Sequence, residues 1–228
     1  MLFYNLSIDK VSSRLQFPLN VGFVLDGSQS MENLFSSATA FTISYFKRKA
    51  ERNNITRAGV VVSATEPFSA VLMSASSPKS QFVQDVNDIA FPGTKAGNLD
   101  LALKLVSSSF FQRDANANEI LVIVTDGVHS GNREALFDQA RQLRRRGVSI
   151  YVIGLGNKYD YEVLRGVAGD GNRVRILRSG AELSNPSFVK EISEFTRATP
   201  GKFTFQNSTQ KAFKKRLNFN IEIHLDKD

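Results

Sequence analysis

The sequence predicts an α/β fold in which a doubly wound, mostly parallel sheet is flanked by helices. Short runs of consecutive apolar residues recur along the chain, and the strongest is Ile120–Val124 (ILVIV). Such runs are typical of strands that are buried on both faces. Longer amphipathic segments separate the runs, which is the alternation that βαβ units produce. In such a sheet ligands bind outside the carboxyl ends of the strands, so we look for function in the loops there.

Six apolar runs predict the strands of this sheet. The second and third runs are separated by Pro67, which predicts a hairpin between them. In chain order the predicted strands are Val21–Leu25, Ala58–Ser63, Phe68–Leu72, Ile120–Val124, Ser149–Ile153 and Val174–Leu177.

The segments between the runs predict six helices. In one of them Leu99, Ala102, Leu103 and Val106 follow the spacing i, i+3, i+4, i+7, which places them on one helix face. Gly147 ends another helix, because glycine commonly follows the last helical turn. In chain order the predicted helices are Met31–Glu51, Ser80–Ile89, Leu99–Val106, Arg133–Arg146, Tyr161–Ala168 and Pro186–Thr196.

The composition is that of a globular protein, with 228 residues of which 42% are hydrophobic and 22% charged. Since domains average roughly 150 residues, this length predicts one or two of them. No linker-like stretch divides the middle of the chain. We therefore predict an N-terminal arm over residues 1–17, one domain over 18–200, and a basic C-terminal arm over 201–228. The C-terminal arm ends in an alternating, strand-like pattern.

Cysteine content and hydropathy exclude several classes of protein. The chain has no cysteine, which excludes a disulfide scaffold, a thiolate metal site and a cysteine nucleophile. No window approaches 18 consecutive apolar residues, so no membrane span is expected. The first residues lack the basic and apolar regions of a signal peptide.

Neither histidine supports a Ser-His-Asp arrangement, since the two lie far apart in the sequence. We interpret His129 as a surface loop residue.

Three loops of the predicted sheet carry oxygen ligands. The first strand ends in the sequence D-x-S-x-S, which supplies Asp26, Ser28 and Ser30. A Pro-Gly turn presents Thr94 just before a helix, and the strongest strand ends in T-D-G, which supplies Asp126. These loops should converge at one edge of the sheet. Two carboxylates and three hydroxyls, without sulfur or imidazole, suit Mg²⁺, Mn²⁺ or Ca²⁺.

This set of residues, in this order around an α/β pattern, resembles the von Willebrand factor type A (vWA) domain with its metal-ion-dependent adhesion site. The resemblance covers about residues 18–200 and implies a Rossmann-like fold. It also implies that Ser28, Ser30 and Thr94 contact a divalent cation, most readily Mg²⁺. Asp26 and Asp126 would act directly or through water. In many relatives ligand binding is coupled to a shift of the last helix, here Pro186–Thr196.

Two features depart from the family's pattern, and one motif fails. Many extracellular relatives join their termini by a disulfide, which this chain cannot form. Relatives often have a second Thr two residues after the metal-binding one, where this chain has Ala96. The sequence Gly154-Leu155-Gly156 follows a strand, as in the G-x-G-x-x-G motif that binds dinucleotides. The third glycine of that motif would fall on Tyr159, so no dinucleotide cofactor is expected.

The charge of the chain favours anionic partners. Lys and Arg number 29 against 22 Asp and Glu, which gives a net charge of +7. Arg141, Arg144 and Arg145 are spaced i, i+3, i+4 on one helix, with Arg146 beside them. This face is either an ordinary solvated surface or a site for a polyanion such as a sulfated glycosaminoglycan. No groove-reading motif accompanies the charge, so no nucleic acid is expected.

The leading hypothesis is a non-enzymatic adhesion module that binds an acidic residue of a partner protein through a divalent cation. The resemblance suggests a secreted, extracellular matrix or cell-surface setting, with collagen as a candidate ligand. One alternative is a polyanion-binding matrix module that uses the basic helix face. Another is an intracellular vWA scaffold in a multiprotein complex, and a metal-dependent hydrolase is the least favoured.

Overall fold

A computed structural model describes residues 18–52, 55–74, 79–111, 117–128 and 131–196. The chain divides into two units, residues 1–198 and 199–228, and every described residue lies in the first. Both predicted arms and His129 lie outside the described residues. The limits of the domain, 18–200, stay a prediction.

Six strands form one sheet with the order β3-β2-β1-β4-β5-β6. All neighbouring strands run parallel except β3, which pairs antiparallel with β2, so the predicted hairpin is present. The predicted mostly parallel, doubly wound sheet is confirmed. The strands are β1 Leu19–Asp26, β2 Ile55–Ser63, β3 Phe68–Ser74, β4 Asn118–Thr125, β5 Ser149–Leu155 and β6 Val174–Leu177.

Helices connect the strands at or near the positions predicted. The helices are α1 Phe35–Arg52, α2 Lys79–Asn87, α3 Leu99–Ser109, α4 Arg133–Arg145, α5 Tyr161–Ala168, α6 Gly180–Leu183 and α7 Pro186–Phe195. None of these helices, in the part of the chain described, is long and apolar enough to cross a membrane.

Two details of the helices differ from the prediction. The first long helix begins at Phe35 and not at Met31, because Gln29–Met31 forms a separate 3-10 turn after β1. The short helix α6 was not predicted, since four residues are too few to show a periodic pattern. The Ser179 side chain begins α6 by accepting the backbone N–H of Glu182.

Two cores cover the two faces of the sheet. Helices α1, α2, α6 and α7 pack on one face, and α3, α4 and α5 pack on the other. Alternate residues of β1 point into opposite cores, with Phe23 and Leu25 in the first and Val24 in the second. Because both faces are covered, the central strands are apolar at nearly every position.

The order of strands also determines where a site can form. From β1 the chain moves to β2 and β3 on one side, and β4, β5 and β6 then lie on the other side. The loops after Asp26 and Thr125 therefore leave adjacent parallel strands in opposite directions. This divergence opens a crevice at the carboxyl ends of β1 and β4, where doubly wound sheets bind ligands.

Candidate metal centre

The loop after β1 folds back on its own aspartate. Asp26 ends the strand, and its Oδ1 accepts the backbone N–H of Ser28 at 2.9 Å. The 3-10 turn that follows brings the hydroxyl oxygens of Ser28 and Ser30 to 3.1 Å from each other. Two residues of spacing therefore place both serines beside the end of the strand.

The loop after β4 contacts the first loop through side chains. Asp126 accepts the backbone N–H of Val128 at 2.9 Å on Oδ1, and its Oδ2 accepts the hydroxyl of Ser30. In the other direction, the Thr125 hydroxyl donates to Asp26 Oδ2 at 2.7 Å. The predicted residues Asp26, Ser28, Ser30 and Asp126 are thus joined in one hydrogen-bond network.

Thr94 is tied to the same place through its backbone. Its N–H donates to the Gly27 carbonyl at 3.1 Å, and its carbonyl accepts the N–H of Gln29 at 2.7 Å. The Thr94 hydroxyl instead accepts the N–H of Thr65 at 3.1 Å and donates to the Ala96 carbonyl at 2.9 Å. The structure therefore places Thr94 beside Ser28, and its hydroxyl also donates to the Gly27 carbonyl at 3.5 Å.

Electrostatics at this site favour a cation. Asp26 and Asp126 are 5% and 7% exposed, and no Lys or Arg in the described ranges forms a salt bridge with either. Burial raises the pKa of Asp26, the Thr125 and Ser28 hydrogen bonds oppose that rise, and the charge of Asp126 adds to it. A cation would relieve both the burial penalty and the mutual repulsion.

The donor set also suits a hard cation. Among the described residues no three acidic or imidazole side chains cluster, so hydroxyl oxygens must supplement the two carboxylates. A hydroxyl offers one donor and two lone pairs. Ser30 can therefore keep donating to Asp126 while one of its lone pairs faces an ion. Oxygen ligands of this kind fit Mg²⁺, Mn²⁺ or Ca²⁺.

Sequence reasoning missed two residues that shape the site. Thr125 was seen only as part of T-D-G, but its hydroxyl holds Asp26 and also accepts the N–H of Gly127 at 3.0 Å. Gly97 was overlooked, although a Cβ there would lie 2.7 Å from Asp26 Oδ1. Its position three residues after Thr94 was the available signal.

The arginines of the predicted basic face lie on α4, except Arg146, which directly follows its last residue, and their surroundings differ. Arg144 donates its guanidinium to two backbone carbonyls at the end of α5. Arg141 pairs with Asp138 on the same helix, and Arg146 donates to a backbone carbonyl of α3 at 2.8 Å. Arg145 is exposed. Three of the four guanidiniums are therefore already engaged by other groups of this chain.

Comparison with known families agrees with this geometry. A family model described as the von Willebrand factor type A domain matches residues 20–191, which include every predicted metal-binding residue. The chain belongs to the vWA family. This is a family of adhesion and protein-interaction modules.

Two curated relatives show how the vWA domain occurs in longer proteins. The chain is 26% identical over 163 residues to von Willebrand factor A domain-containing protein 2 of Xenopus laevis, covering 70% of this chain and 20% of that protein. It is also 26% identical over 160 residues to the human collagen alpha-5(VI) chain, covering 68% of this chain and 6% of that one. The chain thus spans a fifth or less of the length of these relatives.

Solved structures share the vWA fold at low sequence identity. Proximal thread matrix protein 1 from the mussel byssus, with a zinc-occupied MIDAS (metal-ion-dependent adhesion site) motif, has a TM-score of 0.69 at 18% identity, covering 79% of this chain and 48% of that one. The manganese-loaded Plasmodium vivax TRAP protein has a TM-score of 0.64 at 15% identity, and the match covers 80% of this chain and 73% of that one. Both likenesses extend through most of the vWA domain and show its fold.

Proposed function

We propose that this vWA domain is a non-enzymatic adhesion module that binds an acidic residue of a partner protein through a divalent cation. The observation that supports this most strongly is the pair of buried carboxylates, Asp26 and Asp126, which no basic side chain of the described residues neutralises. The metal ligands proposed are Asp26, Ser28, Ser30, Thr94 and Asp126.

Each residue of the site would supply a different kind of oxygen ligand to the ion. Asp26 and Asp126 supply the negative charge, while Ser28 and Ser30 supply neutral oxygens from a turn that β1 positions. Thr94 would add a further oxygen through the lone pair of its hydroxyl that the Thr65 N–H leaves free. When bound, the cation offers a coordination position at which a partner's carboxylate replaces water.

The partner and setting proposed are a matrix or cell-surface protein outside the cell, with collagen as one candidate. Support comes from the names of the relatives, which include a collagen chain and a thread matrix protein. Mg²⁺ is the ion proposed first, because the site offers few protein ligands and water can complete its shell. Among the residues that the structure describes, no contact favours the polyanion alternative, since Arg141 and Arg144 already bind groups of this chain.

Calorimetric titration of Mg²⁺ and Mn²⁺ into chelator-stripped protein tests the proposal. We expect one saturable site, which Asp126→Ala abolishes. The matched control is Asp138→Ala, which removes an exposed carboxylate on α4 and should leave the titration unchanged. Since the ion binds only the folded state, a free concentration 100 times Kd should stabilise the domain by about 2.7 kcal/mol.

Thermal melting in chelator shows whether the Asp126→Ala variant is folded. Removing Asp126 also removes its repulsion of Asp26, so the ion-free variant should melt no more than slightly below the parent. A parent that binds neither ion, or a folded variant that binds as tightly as the parent, would refute the metal site. The adhesion role requires in addition that matrix proteins bind the parent and that chelator releases them.

A further inference from the structure

Two large apolar side chains lie exposed next to the metal centre. Val128 is 53% exposed and follows Asp126 by two residues, and Tyr159 is 37% exposed in the loop after β5. Exposed apolar residues that occur singly, such as Leu72 on the edge strand β3, are ordinary features of a surface. A pair beside a ligand-binding position is a different situation.

The loops that carry Val128 and Tyr159 approach each other at Gly127. A Cβ placed on Gly127 would lie 3.0 Å from the Cβ and 3.3 Å from the Cα of Tyr159, so the loop after β5 packs directly against this glycine. Gly127 also has φ +75, a conformation that side chains disfavour. The two exposed side chains therefore belong to neighbouring loops, and we call this pair of residues the Val128–Tyr159 patch.

Both members of the patch are held in place relative to the metal ligands. The Val128 N–H donates to Asp126 Oδ1 at 2.9 Å, which fixes the position of its backbone. The residue after Tyr159 is Asp160, whose side chain accepts the N–H of Val163 at 3.2 Å and pairs with Arg133 at the start of α4. A surface that is fixed before binding loses little entropy when a partner covers it.

We infer that the Val128–Tyr159 patch selects partner segments in which a large apolar or aromatic residue stands next to the metal-binding Asp or Glu. This inference rests on the proposed function, because the metal centre would place the partner's acidic residue. Successive residues of an extended chain advance about 3.3 Å. The side chain one or two positions from the partner's acidic residue would therefore reach Val128, which is two residues from Asp126. A polysaccharide polyanion has no such side chain, so the partner class is protein.

Selection from a peptide library displayed on phage tests this inference. The library carries a fixed central Glu with random flanking residues, is bound to the immobilised domain in Mg²⁺, and is eluted with chelator. The parent should enrich Phe, Tyr, Leu, Ile or Met at a position within two residues of the Glu, by about tenfold, the factor that 1.4 kcal/mol of apolar contact provides. The double variant Val128→Thr, Tyr159→Ser should lose this enrichment.

The variants separate the patch from the metal centre. Val128→Thr keeps the shape of the side chain and replaces one of its two methyl groups by a hydroxyl, and Tyr159→Ser keeps the Cβ that packs on Gly127. Both should bind Mg²⁺ as the parent does, and Leu72→Ser, three strands from β4, should keep the enrichment. Chelator-eluted clones without a flanking preference, or with one that the double variant retains, would overturn the inference and leave the proposed function intact. A parent that yields no chelator-eluted clones would overturn both.

Discussion

Replacing Asn20 by Leu is expected to make the domain more stable. Asn20 lies near the start of β1 and is 0% exposed, and within the part of the chain that the structure describes neither its Oδ1 nor its Nδ2 has a hydrogen-bond partner. Its neighbours in register are Arg57 on β2 and Glu119 on β4. Leu has the same branching as Asn, so the substitution replaces two unpaired polar atoms by methyl groups without adding a heavy atom.

The gain follows from the cost of leaving polar groups unpaired. A buried donor or acceptor without a partner costs about 1–3 kcal/mol, and we take about 2 kcal/mol for the Asn20 amide as a whole. For a domain of this size each kcal/mol moves Tm by about 2–4 °C. The variant should therefore melt about 4–8 °C above the parent. Its affinity for Mg²⁺ should not change, because Asn20 and Asp26 lie near opposite ends of β1.

Urea unfolding in chelator, followed by circular dichroism, measures the effect. Asn87→Leu, the same change at an exposed position, is the matched control and should stay within about 0.5 kcal/mol of the parent. A loss of 1 kcal/mol or more in Asn20→Leu, with the control unchanged, would refute the reasoning. It would mean that an ordered water or a neighbouring group satisfies the amide in solution.

Three further predictions concern charges and a glycine near the site. Arg144→Ala should lower the free energy of unfolding by about 1–3 kcal/mol, because its guanidinium binds carbonyls at the end of α5, whereas Arg145→Ala should have almost no effect in the same urea titration. Asp160→Ala should cost about 1 kcal/mol at pH 7, since Asp160 begins α5. A backbone N–H in the first turn of that helix, and then Arg133, hold the pKa of Asp160 below its ordinary 3.8. The stabilisation is therefore full above pH 3.8, and the difference from the parent should shrink as pH falls through the folded pKa. Gly97→Ala should weaken Mg²⁺ binding by about tenfold or more in calorimetry while the domain still melts cooperatively, because its Cβ would displace the Asp26 carboxylate.

The strands could be predicted from the sequence because they are buried on both faces of the sheet. Ile120–Val124 could be identified from its composition because helices cover both faces of β4, so no polar residue interrupts the run. The start of α1 was not predictable in the same way. Met31 is fully buried and continues the apolar spacing of the helix. It belongs, however, to the 3-10 turn Gln29–Met31, which follows Ser28 and contains Ser30.

The proximity of Asp26, Ser28, Ser30 and Asp126 could be predicted from the sequence, but the contacts that support them could not. Asp26 and Asp126 stand at strand ends, and strand ends meet in a parallel sheet. The hydroxyl of Thr125 that holds Asp26 could not be distinguished in the sequence from any other strand threonine. The role of Arg144 was hidden as well, because its partners are backbone carbonyls, which leave no trace in the choice of residues.

The network that joins the loops links distant parts of the chain. Ser30 and Asp126, which share a hydrogen bond, are 96 positions apart in the sequence. Thr94 donates its hydroxyl to the Gly27 carbonyl, which is 67 positions away. Closing such long loops is entropically costly, so these contacts exist only once the sheet has formed. Ion affinity would then report on the folded fraction of the domain as much as on its ligands. A destabilising variant far from the crevice would lose the proposed cation-dependent adhesion as it began to melt, although all five proposed metal ligands would be unchanged.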